Sequence, residues 1–313
     1  MKNIIDALVP GTSSWERWQA TPQACIDLFC CRGNSPRPLA VITAGIHGDE
    51  YEGPAAIVEL SHQLRPQAIS GTVIAVPVAN PTAFQAGTRT NPEDNLNLAR
   101  TFPGDMDGSP TQRLSFQLFQ ELARHADLLI DLHSGGVEYM FTPLAGFYGD
   151  AAPGNLSFMM ARQLGLTNLW VLPTTAGVLS AECWKRGIVA VGAEYFGAGQ
   201  LATEGARDYA EGIMRCLIQA GILRGTPPPL PKQTVYIGDW QLADAEGLFV
   251  AACSPGQAVS KGKKLADIVD VRGSVQQSFH APVTGVVLGV RSKAYIRAGN
   301  WAVLLGQPDE VIA

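Results

Sequence analysis

His47 and Glu50 stand three residues apart in Gly45-Ile46-His47-Gly48-Asp49-Glu50. Where a strand ends and feeds a helix, that spacing brings an imidazole and a carboxylate to one face, about one turn apart. The pair suits a divalent metal of borderline softness, for which zinc is the common choice. A third ligand is required, and His133 in Asp131-Leu132-His133-Ser134 is the good candidate. Two imidazoles and one carboxylate, with a fourth position left to water, form a catalytic rather than a structural zinc set. Such an ion polarises a carbonyl and lowers the pKa of bound water toward ~7. Taken singly, a histidine is more often an unrelated residue at a strand end than a ligand.

Further residues fit chemistry around such an ion. Asp131 lies two before His133 on one strand, so both side chains point the same way. It can hold the second nitrogen of the imidazole, or merely cap a nearby backbone N–H. Glu194 follows the apolar run Ile188-Val189-Ala190-Val191-Gly192-Ala193, where a carboxylate is costly unless paired or at work. As a general base it would take a proton from the activated water and return it to the leaving amine. Its plain reading is a surface glutamate in a glycine-rich loop. Arg89 and Arg100 share a polar stretch with Asn95 and Asn97. An arginine fork grips a carboxylate or steadies an oxyanion beside a metal, and solvated loop arginines are the alternative.

The elements that must position these residues are legible in outline. Residues 39–43 form an unbroken apolar run, the pattern of a strand buried on both faces. A helix follows over 54–64, then a buried strand over 71–78, and a long polar loop over 84–107. Loops of that length tend to carry function. Ser109-Pro110-Thr111-Gln112 has the form of a helix start, with Ser as cap and Gln three residues on, for a helix reaching about Arg124. The strand 126–132 delivers His133. Residues 156–164 and 203–223 read as helices, and 25–31, 169–172 and 188–191 as strands. Residues 1–22 read as an irregular lead-in. Strands alternating with helices predict an α/β sandwich with its site at the carboxyl edge of the sheet.

Gly225-Thr226-Pro227-Pro228-Pro229-Leu230-Pro231 is the clearest linker. Beyond it, short apolar runs at 247–250, 258–259, 265–271 and 286–290 predict a small all-β unit. The chain thus divides into an α/β domain over 1–225, a linker over 226–233 and a β domain over 234–313.

The 313 residues are 46% hydrophobic and 16% charged, enough for a packed core, and the formal charge of -5 comes with no basic stripe for nucleic acid. No run reaches the ~18 apolar residues of a membrane span, and residues 1–10 lack the form of a signal peptide. Cys25, Cys30, Cys31, Cys183, Cys216 and Cys253 show no C-x-x-C spacing. They read as packing thiols of a soluble protein in a reducing compartment, the cytoplasm. The sequence leaves room for a homo-oligomer.

With these motifs in order, the chain resembles the succinylglutamate desuccinylase/aspartoacylase family of the zinc carboxypeptidase superfamily. The resemblance rests on Gly45 to Glu50, on Arg89 through Asn97 to Arg100-Thr101-Phe102-Pro103-Gly104, on Asp131 to Ser134, and on Glu194. Ala281-Pro282-Val283-Thr284-Gly285-Val286-Val287 is similar to part of the β domain those proteins carry. The resemblance implies a zinc-carboxypeptidase-like mixed sheet flanked by helices. It implies one Zn2+ per chain, held by His47, Glu50 and His133, with Glu194 as general base and acid. Arg89 would steady the oxyanion, and Asn97 and Arg100 would grip a substrate carboxylate. The implied reaction removes a small acyl group, acetyl or succinyl, from the nitrogen of an amino-acid-like substrate.

There are departures from the family pattern. Leu98-Ala99 intervene between Asn97 and Arg100, where the family often has Asn followed at once by Arg. Phe196 stands where a glycine is frequent, so the shape of the pocket is open. A second substrate arginine used by some members falls at Trp184, beside Lys185 and Arg186. The last unit resembles a biotinyl/lipoyl-type fold without a lysine in swinging-arm context. It implies a rim over the active-site mouth instead. Two other readings use the same residues: a metallocarboxypeptidase acting on short peptides, and a non-catalytic zinc-binding module.

Overall fold

The computed structural model describes residues 4–312, apart from the side chains of Asp6 and Glu310. Its first half comprises α1 (Ile4–Ala7), β1 (Thr12–Thr21), β2 (Ala24–Arg32), β3 (Leu39–Thr43), α2 (Glu52–Gln63), β4 (Thr72–Val76), α3 (Pro81–Ala86), α4 (Pro110–Glu121), β5 (Leu128–Leu132) and β6 (Tyr139–Phe147). Then come α5 (Leu156–Gln163), β7 (Asn168–Val171), α6 (Leu179–Trp184), β8 (Val189–Gly197) and α7 (Thr203–Gln219). Strands β9 (Gln233–Leu242), β10 (Gly247–Ala251), β11 (Ala258–Val259), β12 (Lys264–Val269), β13 (Val275–His280), β14 (Gly285–Arg291), β15 (Tyr295–Ile296) and β16 (Trp301–Ile312) complete it.

Twelve strands form one mixed sheet in the order β1-β2-β4-β3-β5-β8-β6-β7-β9-β16-β14-β11. Its centre, β4-β3-β5-β8, is parallel, and β3, β4 and β5 are buried at every residue. Unbroken apolar strands of this kind need cover on both faces. Helices α2, α5 and α7 cover one face through Ile57, Leu60, Phe158, Tyr209, Ile213 and Leu217. Helices α4 and α6 cover the other through Leu114, Leu118, Leu179 and Ala181. The cap of α4 is the expected one: Ser109 and Gln112 close a reciprocal capping box, with Pro110 inside the first turn.

After the proline-rich segment the chain is strand-rich. Strand β9 joins the central sheet beside β7, and β16, β14 and β11 extend it. A second sheet of order β13-β12-β10-β15 packs over this extension. Their shared core sets Val287, Val303 and Leu305 against Phe249, Leu265, Ile268 and Phe279.

The structure departs from the sequence expectations in several places. The irregular lead-in is in part a strand: β1 pairs with β2 along its length, while residues 1–3 of that lead-in lie outside the described residues. Its period-2 burial is weak because β1 is the sheet edge, exposed along most of its length. Strand β6 was not anticipated, since Pro143 and the Thr142-Pro143 irregularity break its apolar pattern. The long loop takes in the end of α3 and a 3-10 turn, Leu98–Arg100. Helix α7 stops at Gln219, short of residue 223. The six cysteines are free, and Cys30, Cys31, Cys183 and Cys216 are buried. No helix among the described residues is long and apolar enough to cross a membrane.

Candidate metal centre and active site

Strand order brings the site together. Strands β3, β5 and β8 are consecutive neighbours, so the residues at their carboxyl ends stand side by side. His47 and Glu50 lie in the turn between β3 and α2 rather than on the helix, and His133 directly follows β5. The turn is pressed onto α3: a Cβ on Gly48 would lie 2.0 Å from the backbone carbon of Ala83. Only glycine permits that approach. Glu194 is not past the end of its strand, as its apolar run suggested, but inside β8, opposite Leu144 of β6. Since Leu132 pairs with Ala193, Glu194 is level with His133.

The structure brings His47, Glu50 and His133 into one cluster, their candidate ligand atoms all within 4.8 Å of one another. His47 Nδ1 lies 2.8 Å from Glu50 Oε1, and His133 Nδ1 lies 3.0 Å from Glu50 Oε2. The far side of each ring is also engaged. Asn97 Oδ1 accepts from the Ala99 N–H, which identifies that atom as the oxygen, and it lies 3.1 Å from His47 Nε2. His47 must therefore donate from Nε2, and its Nδ1 presents a lone pair. On the other ring Asp131 Oδ2 lies 3.3 Å from His133 Nε2, while Asp131 Oδ1 accepts from the Thr43 hydroxyl at 2.7 Å.

A lone pair facing a carboxylate at hydrogen-bond distance needs a proton or a cation between them. Burial, with Arg89 nearby, pushes the His47 imidazole down to about 4 despite the pull of Glu50, so a proton is not readily held there. Burial also works against protonating His133, but Asp131 and Glu50 outweigh it and lift that group well above its usual value. Glu50 is buried, yet His47 and His133 hold it far below the usual carboxylate range. A buried anion between two imidazoles tied back at Nε2 is a donor set suited to one divalent cation. Among the described residues it is the single cluster of this kind.

The other expected residues converge on the same place. Arg89 donates to Glu50 Oε1 at 3.0 Å. Arg100 and Asn97 both line a mouth of about 520 Å³, together with Asp49, Tyr139, Glu138 and Trp301. The intervening pair Leu98-Ala99 lies in the 3-10 turn. At three residues per turn it returns Arg100 to the side of Asn97. Glu194 faces a narrower chamber of about 150 Å³, shared with His47, Arg89, His133 and Arg100 and otherwise walled largely by Phe141, Tyr148, Trp170, Leu172 and Trp240.

Within that chamber Glu194 Oε2 is buried without a partner. Burial and the neighbouring Glu50 charge push its carboxyl up to about 8, against His133 and Arg89. A pKa raised on folding means the native state keeps a proton the unfolded chain releases. Metal-free wild type should therefore lose stability relative to Glu194→Gln as pH climbs from 4.5 to about 8. Thermal melts of both proteins in chelator across that window test this, and parallel curves would refute it.

The departures also find their places. Phe196 does not line the mouth or the chamber. It adopts φ +34, followed by Gly197 at +135 and Ala198 at +54, a left-handed stretch in which the family's glycine would sit without strain. Trp184 stacks on Tyr148 at 5.9 Å, while Lys185 and Arg186 pair with Glu182 at 2.8 and 2.9 Å. None of the three lines the chamber.

Residue order alone did not announce Asn97 as the partner of the His47 ring, although the Asn at the start of a short turn is a familiar cap. It was also silent on Tyr209, whose hydroxyl donates to the His133 carbonyl at 2.7 Å, and on the aromatic residues beneath the arginines.

Comparison with known proteins agrees with this geometry. The chain is 29% identical over 285 residues to the N-alpha-acetyl-L-2,4-diaminobutyric acid deacetylase of Halomonas elongata, covering 87% of this chain and 83% of that protein. The product-bound ectoine utilization protein EutE (DoeB) from Ruegeria pomeroyi superposes with a TM-score of 0.83 at 28% identity, over 94% of each chain. A succinylglutamate desuccinylase from Silicibacter sp. TM1040 superposes with a TM-score of 0.81 at 28% identity, over 91% of this chain and 89% of that one. The sequence model of the succinylglutamate desuccinylase/aspartoacylase catalytic domain matches residues 36–220. That span holds every residue of the cluster and more than half of the chain, which thus belongs to the succinylglutamate desuccinylase/aspartoacylase family.

Proposed function

We propose that the protein is a zinc-dependent deacylase that removes a small acyl group, acetyl in preference to succinyl, from the nitrogen of an amino-acid-like substrate. The observation that carries the reading is the unpaired carboxylate of Glu194, facing the chamber shared with His47 and His133. His47, Glu50 and His133 would hold the ion. When bound, zinc polarises the scissile carbonyl and makes water a stronger acid. Glu194 takes the proton of the attacking water and delivers it to the leaving nitrogen, a double role suited to a carboxyl whose pKa is raised toward neutrality. Arg89 lines chamber and mouth alike, and donates to the oxyanion as charge develops there. Asp131 fixes the His133 ring. Arg100 and the free amide nitrogen of Asn97 receive the substrate carboxylate.

The preference for acetyl is supported by the named activity of the Halomonas relative. It is also supported by the pairing of Lys185 and Arg186 outside the chamber, which leaves no further cation there for a second carboxylate. Residues 1–225 form the catalytic unit in this proposal, 226–233 the linker, and 234–313 a β unit that rims the mouth with Lys293, Asn300 and Trp301. Metal analysis followed by amine-release assays on N-acetyl, N-succinyl and N-formyl amino acids and on short peptides tests the reading. Zinc near one per chain with fastest release from N-acetyl amino acids is expected. Preferential cleavage of peptides would replace it with a carboxypeptidase, and an inert zinc-loaded protein with a binding module.

A further inference from the structure

Arg100 is an exposed guanidinium with no acid to hold it: among the described residues no carboxylate lies within ion-pair distance of it. Among the described residues its hydrogen bond runs to the carbonyl of its neighbour Ala99 at 2.7 Å. Instead its Cζ sits 5.4 Å from the ring centre of Trp301, at the first residue of β16. Trp301 in turn stacks on Trp240 of β9, with centroids 5.0 Å apart and planes at 9°. Trp240 packs on Tyr139 and Phe141 of β6, and Tyr139 lies under Arg89 at 5.5 Å. Trp301 also borders both the mouth and the chamber.

A salt bridge would orient Arg100 but spend its charge. An aromatic face orients a guanidinium through its ring quadrupole while the N–H edge stays free. We propose that Trp301, delivered from the far end of the chain and braced by Trp240, is a positioning residue that aims Arg100 at the substrate carboxylate without neutralising it. The strand-rich C-terminal region thereby contributes to recognition of the acid group itself, beyond limiting access. This rests on the proposed role of Arg100 as the carboxylate grip.

The test compares an N-acetyl amino acid with the same molecule as its carboxamide. Trp301→Leu should raise KM for the acid about tenfold, the scale of a cation–π contact, with kcat within about twofold and the carboxamide unaffected. Trp301→Phe should recover most of the loss, and Trp301→Leu should add nothing in an Arg100→Met background. Because the acid-to-carboxamide ratio is taken on one preparation, partial unfolding cancels. An unchanged ratio, or losses that add to those of Arg100→Met, would overturn the proposal. The same ratio of affinities, from calorimetry on zinc-loaded Glu194→Gln protein, decides the matter without turnover. If wild type hydrolysed neither compound while that affinity ratio still fell with Trp301→Leu, the deacylase reading would fail and this one would stand.

Discussion

Glu194→Gln is expected to retain its zinc and lose roughly 10²–10⁴-fold in kcat, the range attributed to a positioned general base. The amide keeps the volume and the polarity of the side chain but cannot accept and return a proton. It also removes a carboxylate that is poorly solvated where it stands, since Oε2 is buried without a partner and the pKa is raised to about 8. The variant should therefore fold at least as well as wild type, which separates chemistry from damage. Elemental analysis and steady-state rates on the same sample decide it. Turnover close to wild type would mean that the proton is handled elsewhere.

His133→Ala should lose the metal, and activity with it. The penalty in zinc affinity should exceed the roughly 10–100-fold typical of losing an outer partner of a ligand, because in the proposed site a ligand itself is removed. The substitution is a clean one. The backbone at His133 is held independently, by its N–H to Ala193 at 2.9 Å and by the Tyr209 hydroxyl to its carbonyl. The loop should therefore remain in place around an incomplete cage, with Glu50 still paired to Arg89. Zinc content after equilibration in a chelator buffer is the measurement. Unchanged content would exclude His133 from the ligand set.

The two substitutions probe different links. The first leaves the donor set intact and removes a proton acceptor, whereas the second leaves Glu194 in place and removes a donor. A protein in which both variants lost zinc would have Glu194 acting as a structural support of the cage. One in which neither lost activity would have its chemistry elsewhere in the molecule.

Much of the site could be read from residue order because its parts are carried by local signals. An unbroken apolar strand followed by His-x-x-Glu, or by Asp-x-His, announces both the element and what stands at its end. The strong patterns of β3, β4 and β5, buried at every residue, gave the centre of the sheet, and the capping box gave the start of α4. What failed were weakly patterned strands. The edge strand β1 is mostly exposed, and β6 is interrupted by Pro143. With β6 unseen, Glu194 looked like the end of a strand rather than its middle.

By itself the sequence singled out the candidates for binding a metal and moving a proton, because those capacities belong to side-chain types and to short-range spacing. Tertiary structure decided everything that depends on distance between remote segments. The adjacency of β3, β5 and β8 brought three separate motifs to one chamber. The 3-10 turn at Leu98–Arg100 set Arg100 on the side of Asn97. The Asn97 oxygen set the tautomer of His47, and Trp301 reached Arg100 across 201 positions of chain. Such contacts arise from packing of buried surfaces, whose partners are chosen by shape and topology and leave no periodic mark along the chain.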